Sequence, residues 1–594
     1  MVRKIEAPNV KWTGAERSEV QQNIAFLYGC SAAREAKYNR NLNRFFNNGR
    51  GDARATVWSA GYQSLGYNRA MYDNSTVQTK LNLVKSVVQT VGSKLSQARV
   101  RPFFDAVQGD YKTIKATRAA QKFFDAFFDI QKVYERAPEV ARGAMLFDAG
   151  HFGVDEDTVS IEPVPHWELF VDPYEANGGG LPACTYGMRM RREYPLVAMA
   201  NQFPDWYKSK EAPGVNARRI RGEFIVYWDL VAGFKWYIWD REIVYKKAIE
   251  YKRLPFTAMW WERPVMGWST SCLADDLYTI QVEIDEYQLR IDAAVRQSPF
   301  NTVFVPAGEN GEMKATLLSN EAGLVVPYMP GPEGGMPVVA TPAPISPEYF
   351  KGLEFYMSKG YELAGVSQLS AQSKKPSGVT SGIALQTLED VESERHNVTV
   401  QSYIHQFVEL AEIAVDVFPP DADVLPPAMG RARVKWSDVK KQRDMFKVQF
   451  SAGSALSKDP ATKIDQIQKL QSLGLNLGPI LPQLLEIPDL EGAHSVLSAS
   501  YDYTQTVIEK AAEEGIVDFA PIADMGMLFR EAVQWYLRLS ADESNEKYTA
   551  NLKKLIEKIQ AEQEATVPPA PEPIPAPSNP AAPAPAPAPM TGGM

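Results

Sequence analysis

A long apolar stripe limits most strongly what this chain can fold into. Its members step by three or four residues: Leu273, Leu277, Ile280, Ile284, Tyr287, Ile291 and Val295. This spacing puts all of them on one face of an α-helix, which then has to pack along its length against another element. Ser298 and Pro299 interrupt the pattern, because proline cannot continue a helix. We therefore predict one helix over residues 271–296.

A partner for that helix is expected shortly downstream. Ser346 is a typical N-cap and Pro347 suits the first helical position, which predicts a second helix that reaches about Ala364. Between the two helices, 300–345 holds strand-like runs at 302–305 and 323–327 and is then rich in Gly and Pro. This pattern predicts a small α/β or β lobe inserted between two packed helices.

The region after the second helix is polar and then helical again. Ser, Gly and Lys dominate 365–382, which predicts an exposed loop. A long helix is expected from Ser381 to Val417, where Pro419 and Pro420 follow and stop it.

In the rest of the chain, segments with a helical residue pattern alternate with segments that have a strand pattern. Helical blocks are predicted over 16–101 and 111–147, and an aromatic-rich antiparallel meander lies between Gly153 and Arg263. The meander strands are expected at Glu223–Asp229, Phe234–Trp239 and Glu242–Lys246, joined by hairpin-sized breaks. A short strand at Phe446–Phe450 precedes further helices, and a Pro/Ala-rich tail begins at Ala565. The fold class that follows is α+β, predominantly helical.

Composition argues against tight binding of nucleic acid. The chain has 594 residues, 45% of them hydrophobic and 23% charged, and a formal net charge of −9. A protein that holds DNA by neutralising phosphates needs a clustered Lys/Arg surface. Any contact with DNA is therefore expected to be weak.

The cysteines and the first residues bear on the cellular compartment. Cys30, Cys184 and Cys272 are far apart in sequence and form no CxxC pair, so we interpret them as small buried hydrophobic residues in a reducing cytoplasm. The stretch 1–18 lacks the apolar core of a signal peptide, and no apolar run approaches the roughly 20 residues that span a bilayer. We expect no membrane association.

A search for catalytic motifs returns nothing specific. The chain has no phosphate-binding GxxxxGK[ST] loop and no HExxH pair, and its five histidines are best interpreted as structural. An acidic run, Glu389, Asp390, Glu392 and Glu394, is more typical of a solvated helix face than of a two-metal nuclease site. We expect no catalytic residue, no metal and no cofactor, while a metal-dependent nuclease remains an alternative.

Four segments of the sequence resemble segments found in a known protein family. They are Glu362–Ser370 (ELAGVSQLS), Ser377–Gln386 (SGVTSGIALQ), His166–Pro173 (HWELFVDP) and the segment Phe446–Ser457. Together with the order of helices, meander, helix, lobe, helix, polar loop and long helix, they resemble bacteriophage portal proteins. The resemblance covers about residues 20–540, and its motifs are moderately specific.

The resemblance implies a division into portal regions. These would be the helical part of the wing (1–150), its β meander (151–265), the first stem helix (266–297), the clip (298–345), the second stem helix (346–367), the tunnel loop (368–380), the long wing helix and its connection (381–435), a helical crown (436–560) and the Pro/Ala tail (561–594).

The resemblance also implies roles for individual residues. The DNA-facing tunnel loop would include Gln372, Ser373, Lys374, Lys375, Ser377 and Thr380. The acids expected to line the channel are Asp276, Glu283 and Glu286, and the side chains expected to pack the stem are Leu277, Ile280, Ile284 and Ile291. Acidic channel walls would repel DNA and so let it slide.

The function implied is a structural one. Portal proteins form a twelve-subunit ring at one capsid vertex of the virion, assembled in the host cytoplasm, through which double-stranded DNA is packaged and ejected. The implied partners are other copies of the chain, the terminase large subunit, head-tail adaptor and tail proteins, the major capsid protein, the scaffolding protein and DNA bound without sequence preference. Another virion or adaptor protein and a cellular scaffold remain structural alternatives.

Overall fold

A computed structural model describes most of the chain. The described residues are 8–46, 81–96, 102–106, 110–209, 220–297, 302–306, 325–328, 336–340, 345–366, 396–420, 436–450, 503–515, 518–519, 525–540 and 545–566. The chain divides into two compact units, one formed by Met1–Gln108 and Thr113–Glu486 and the other by Gly109–Lys112 and Ile487–Met594. The protein is a mixed α/β structure, predominantly helical, with several sheets.

The first unit begins with helices, as predicted. They are α1 (Gly14–Cys30), α2 (Ala32–Phe46), α3 (Leu83–Ser96), α4 (Tyr111–Ile130, in this unit from Thr113 onward) and α5 (Val133–Phe147). Thr13 caps α1 in a capping box: its hydroxyl accepts from Glu16 N, while the Glu16 carboxylate accepts from Thr13 N at 2.7 Å. Because α3 is apolar along one stripe, it buries Val84, Val87 and Val88 in the core.

The predicted meander is confirmed as part of an antiparallel sheet. The strands are β4 (Leu169–Val171), β5 (Tyr186–Pro195), β6 (Arg221–Asp229), β7 (Phe234–Trp239) and β8 (Glu242–Ala248), paired in that order. Asp240 and Arg241 join β7 to β8 with φ of 43° and 68°, the positive values that a two-residue type I′ hairpin turn requires. Short helices α6 (Leu196–Gln202) and α7 (Pro204–Lys208) lie between β5 and β6.

A segment from the other end of the unit covers the outer edge of β8. Val10 N donates to Lys246 O at 2.9 Å, and Lys246 N donates to Asn9 Oδ1 at 3.2 Å. Trp12 packs edge-on against Trp236, and the Lys246 ammonium reaches Glu16 at 2.9 Å. This edge of the sheet is therefore partly closed by residues 9–16.

Two smaller sheets bring distant segments into the same unit. Strand β2 (Ala149–Asp155) pairs with β3 (Ser160–Val164) and β9 (Met259–Trp260), and β1 (Pro102–Ala106) pairs with β13 (Phe446–Phe450). The strand predicted at 446–450 is confirmed. It belongs to the first unit, as does α12 (Trp436–Lys441), so the boundary between units lies beyond the expected start of the crown at 436.

The pair of helices predicted around the inserted lobe is confirmed. Helix α8 (Leu273–Asp276) and α9 (Tyr278–Gln297) occupy the first segment with a break at Leu277, and α10 (Pro347–Ala364) forms the second. Ser346 caps α10 by accepting from Glu348 N at 3.4 Å. Between them, β10 (Thr302–Pro306) pairs in parallel with β11 (Val325–Tyr328) and antiparallel with β12 (Val338–Ala340).

The predicted long helix is described only in its second part. Helix α11 (Asn397–Val417) is confirmed and is buried along Phe407, Leu410 and Ala411, while 381–395 lie outside the described residues.

The second unit contains a helix over 503–514, here α13, followed by α14 (Met525–Leu539) and α15 (Glu546–Thr566). Its core includes Ile508, Leu528, Trp535 and Leu552. The Trp535 indole N–H donates to Gln505 Oε1 at 3.0 Å, which satisfies the polar atom of this buried ring.

Among the described helices, none is both long and apolar enough to cross a membrane. Cys184 and Cys272 are buried, as expected, but the expectation is wrong for Cys30, which is exposed. Cys30 lies in the last turn of α1, where the neighbouring Phe26 and Tyr28 are also exposed and leave the thiol uncovered.

Candidate functional site

Helices α9 and α10 form an antiparallel hairpin. A Cβ added at Gly352 would meet the Tyr287 ring at 2.6 Å, and one added at Gly360 would meet Ile280 at 3.4 Å and Leu83 of α3 at 2.1 Å. A later residue of α10 therefore lies beside an earlier residue of α9, which shows that the two helices run antiparallel. Glycine is needed at both positions because the helices approach too closely for a side chain.

Burial changes along this hairpin. Near α3, Leu277 and Ile284 are fully buried and Tyr361 is 5% exposed. Leu363, at the same end, is 46% exposed. Toward the inserted lobe Ile291 is buried, but five large apolar side chains are exposed: Leu289 (41%), Val295 (52%), Tyr349 (40%), Phe350 (47%) and Phe355 (56%). We call these five residues the hairpin patch. A concentration of exposed apolar side chains toward one end of a helical hairpin is typical of an interaction surface.

The predicted stem residues all lie on this hairpin. Leu277, Ile284 and Ile291 are buried and Ile280 is partly buried, but their packing against neighbouring subunits stays a prediction. Two of the predicted channel acids, Asp276 and Glu283, are exposed, and Glu286 forms an ion pair with Arg290 at 3.2 Å. Burial, together with Asp275 and Glu262, raises the pKa of Asp276.

The predicted tunnel loop and the acidic run fall outside the part of the chain that the structure describes. The tunnel-loop residues Gln372, Ser373, Lys374, Lys375, Ser377 and Thr380 lie outside the described residues, as does the acidic run 389–394.

Sequence reasoning missed a buried polar cluster beneath α2. It consists of Lys37, Tyr38, Asn41, Asp148, Cys272 and Asp275. The Lys37 ammonium donates to Asp148 Oδ1 at 2.5 Å and also to Thr270 O, and it lies 2.9 Å from Asp275 Oδ2. Asp148, which is fully buried, takes a φ of 73° where α5 ends and accepts further bonds from Ser269 Oγ and Thr270 N.

The cluster keeps the Lys37 ammonium charged and the Cys272 thiol protonated. Ligand atoms of Asp148, Cys272 and Asp275 lie within 4.8 Å of one another, but the Lys37 ammonium already bonds both carboxylates. Burial lowers the pKa of Lys37, yet its bonds to the two carboxylates outweigh burial and raise the pKa. Burial raises the pKa of the Cys272 thiol, so it is protonated and a weak nucleophile at neutral pH. The arrangement is that of a structural ionic lock.

Two histidines lie beside this cluster. A 2.6 Å hydrogen bond joins His151 Nε2 to His166 Nδ1, and His151 Nδ1 lies 2.7 Å from Thr257 O. Both rings are fully buried, and the Trp268 ring stacks on His151. Burial lowers the pKa of His151 to about 4, so the pair is neutral at pH 7. The interpretation of these two histidines as structural is consistent with this geometry.

One signal could have revealed the cluster from the sequence. Arg34, Lys37, Tyr38 and Asn41 recur at the spacing of one helix face, and all four are polar or amphipathic. A face of this kind is usually solvated. Here it is an inner face because it packs on the buried Asp148 and the partly buried Asp275, which lie far away in sequence.

Glu409 is a further carboxyl, partly buried on α11 beside β9. It accepts from Ala258 N at 3.3 Å. Burial raises the pKa of Glu409 to about 7. A carboxyl whose pKa is raised in the folded state stabilises the fold fully below its unfolded value, 4.5, and this contribution is lost as pH rises through 7.

We expect Glu409→Gln to remove this dependence. As the pH rises from 4.5 to above 7, the native protein should lose about 3 kcal/mol of stability that the variant does not lose. The free energy of unfolding of the variant should therefore increase by this amount relative to that of the native protein. His151 acts in the opposite sense, because stability present above pH 6.5 is lost as pH falls through about 4. Urea titrations across the range from pH 4.5 to above 7 test the Glu409 prediction, with the exposed Glu139→Gln as the matched control. A constant difference between variant and native protein would contradict the prediction.

Comparison with known proteins returns no match: no protein-family description fits the chain, and no curated protein is significantly similar to it.

Proposed function

We propose that this chain is a portal subunit of a tailed bacteriophage, which forms a ring channel for double-stranded DNA at one vertex of the capsid. The ring is structural and performs no catalysis of its own. The packaging motor and later the tail adaptor dock on it, and the capsid and scaffolding proteins surround it during assembly. Its location is then the virion.

The observation that carries this proposal is the α9–α10 hairpin with its inserted three-stranded lobe. The hairpin packs against α3 at one end, where Leu277 and Ile284 are buried, and carries the hairpin patch at the other. Five large exposed apolar side chains need a covering surface, and copies of the same chain supply one when they associate head to tail around a closed ring. This geometry agrees with the helix, lobe and helix order on which the resemblance rests.

Charge supports passage of DNA without tight binding. The chain carries a net charge of −9, and Asp276 and Glu283 on α8 and α9 are exposed. Each phosphate that a protein neutralises adds affinity that must be broken before the DNA moves. A channel wall with exposed acids avoids this cost.

Ring assembly is the test of the proposal. We expect the purified chain, over a range of concentrations and with co-expressed scaffolding protein, to form rings with a central hole in negative-stain images. Twelve copies of the 66.2 kDa chain would weigh about 0.8 MDa by mass photometry. A monomer or dimer under all these conditions would contradict the proposal. Metal-dependent cleavage of plasmid DNA by such a species would instead support the nuclease alternative.

A further inference from the structure

A small cavity lies between α2, the turn at 166–168 and the five-stranded sheet. It measures about 20 Å³, which is room for one water-sized occupant. Arg34, Tyr38, Trp167, Phe170 and Met190 contribute to its lining. Glu35 and Glu168 also line it.

Two N–H groups of residues that line this cavity have no acceptor within the part of the chain that the structure describes. Arg34 is only 9% exposed, and its Nη1 is buried without a hydrogen-bond partner. Its other terminal nitrogen, Nη2, makes a long bond of 3.4 Å to Leu169 O. The indole N–H of Trp167 is likewise buried and has no acceptor. Unsatisfied buried donors cost free energy, most of all when one is charged.

The carboxylates nearby are already paired with other arginines. Glu35 bonds Arg192, and Glu168 bonds Arg189 at 3.0 Å. Glu162 is shared between Arg189 and Arg191. Among the described residues, no carboxylate oxygen lies within 4.0 Å of the Arg34 guanidinium. The buried Asp172 is bonded instead by Tyr174 N and Tyr186 Oη.

The arginines at this cavity are one more than the glutamates that pair with them. The lining residues and their ion-pair partners comprise four arginines (34, 189, 191 and 192) and three glutamates (35, 162 and 168). Arg34 is the arginine of this set that has no carboxylate partner among the described residues. A buried guanidinium with an unused N–H and an unused indole N–H, from two residues that line the same cavity, are donors suited to an anion.

We propose that this cavity binds a small inorganic anion of chloride size, held by Arg34 and Trp167. The size of the cavity selects a monatomic anion over phosphate or sulfate. Binding compensates the charge of Arg34 and satisfies both donors, so the anion stabilises the packing of α2 on the sheet. This site is independent of the proposed portal function.

The test compares anions at constant ionic strength. We expect the Tm of the native protein to rise by roughly 2–4 °C when gluconate is exchanged for chloride or bromide, and the chloride NMR line to broaden in its presence. In Arg34→Met the chloride dependence should vanish, while in gluconate the variant should melt no lower than the native protein. Trp167→Phe, which keeps the ring but loses the N–H, should reduce the chloride effect.

The control variant is Arg290→Met, which removes an exposed arginine and should keep the full chloride effect. Equal Tm in chloride, bromide and gluconate, with no line broadening by the native protein, would overturn the proposal and leave water as the occupant. Stronger stabilisation by phosphate than by chloride would overturn the assignment of anion size. If Arg34→Met does not fold, the native protein and Trp167→Phe still decide the question.

Discussion

Replacing Lys37 by Met should destabilise the first unit by about 3–5 kcal/mol, because it leaves the fully buried Asp148 carboxylate without its cation. Asp275, whose side chain is 14% exposed, loses one of its two cations and keeps only Arg40. The loss should appear as a lower urea midpoint for the unfolding transition of this unit.

Two further variants separate charge from packing. Lys359→Met removes an exposed lysine that pairs with Glu362 on α10, and surface pairs of this kind contribute at most about 1 kcal/mol. Adding Asp148→Asn to Lys37→Met should recover part of the lost stability, because the buried negative charge is then removed as well. A loss below about 1 kcal/mol for Lys37→Met would show that the cluster is not the ionic lock described above.

Phe355→Glu should abolish ring assembly while the subunit stays folded. Phe355 is 56% exposed in the single chain, and substitutions at such positions change the free energy of unfolding by about 0.5 kcal/mol or less. At an interface the same change would bury a carboxylate and cost about 2 kcal/mol or more. A closed ring contains one such interface per subunit, so the free energy lost on assembly adds up over all of its interfaces. This prediction rests on the proposed function.

Mass photometry of the variant should show the 66.2 kDa chain alone under conditions where the native protein forms rings. Val231→Glu is the matched control, because Val231 is 81% exposed but lies at the turn between β6 and β7, away from the hairpin. Rings of Phe355→Glu as abundant as those of the native chain would show that the hairpin patch does not mediate assembly.

The sequence predicted those parts of the fold that depend on local signals. The stripe from Leu273 to Val295 sufficed for α9, the cap at Ser346 for α10 and the break at Asp240 for the hairpin between β7 and β8. Each signal lies within a few residues of the structure it determines, so no tertiary information was needed.

The parts that could not be predicted join distant segments. Strand β13 pairs with β1, and Lys37 of α2 meets Asp148 and Asp275, which lie more than a hundred residues further along the chain. Spacing within one segment carries no information about such partners. The anion cavity is of the same kind, since Arg34 and Trp167 come from separate elements. The predicted tunnel loop and its function remain predictions.

Residues 9–16 are synthesised long before β8, the strand whose edge they cover. Glu16 and Lys246 are 230 residues apart. At about 5–20 residues per second, a ribosome takes roughly 10–50 s to make the chain between them. Throughout that time Trp12 has no Trp236 to pack against, and residues 9–16 are open to chaperones. Residues 9–16 thus wait for the sheet edge that they cover, and they can pair with an exposed strand of another nascent chain until β8 has been made.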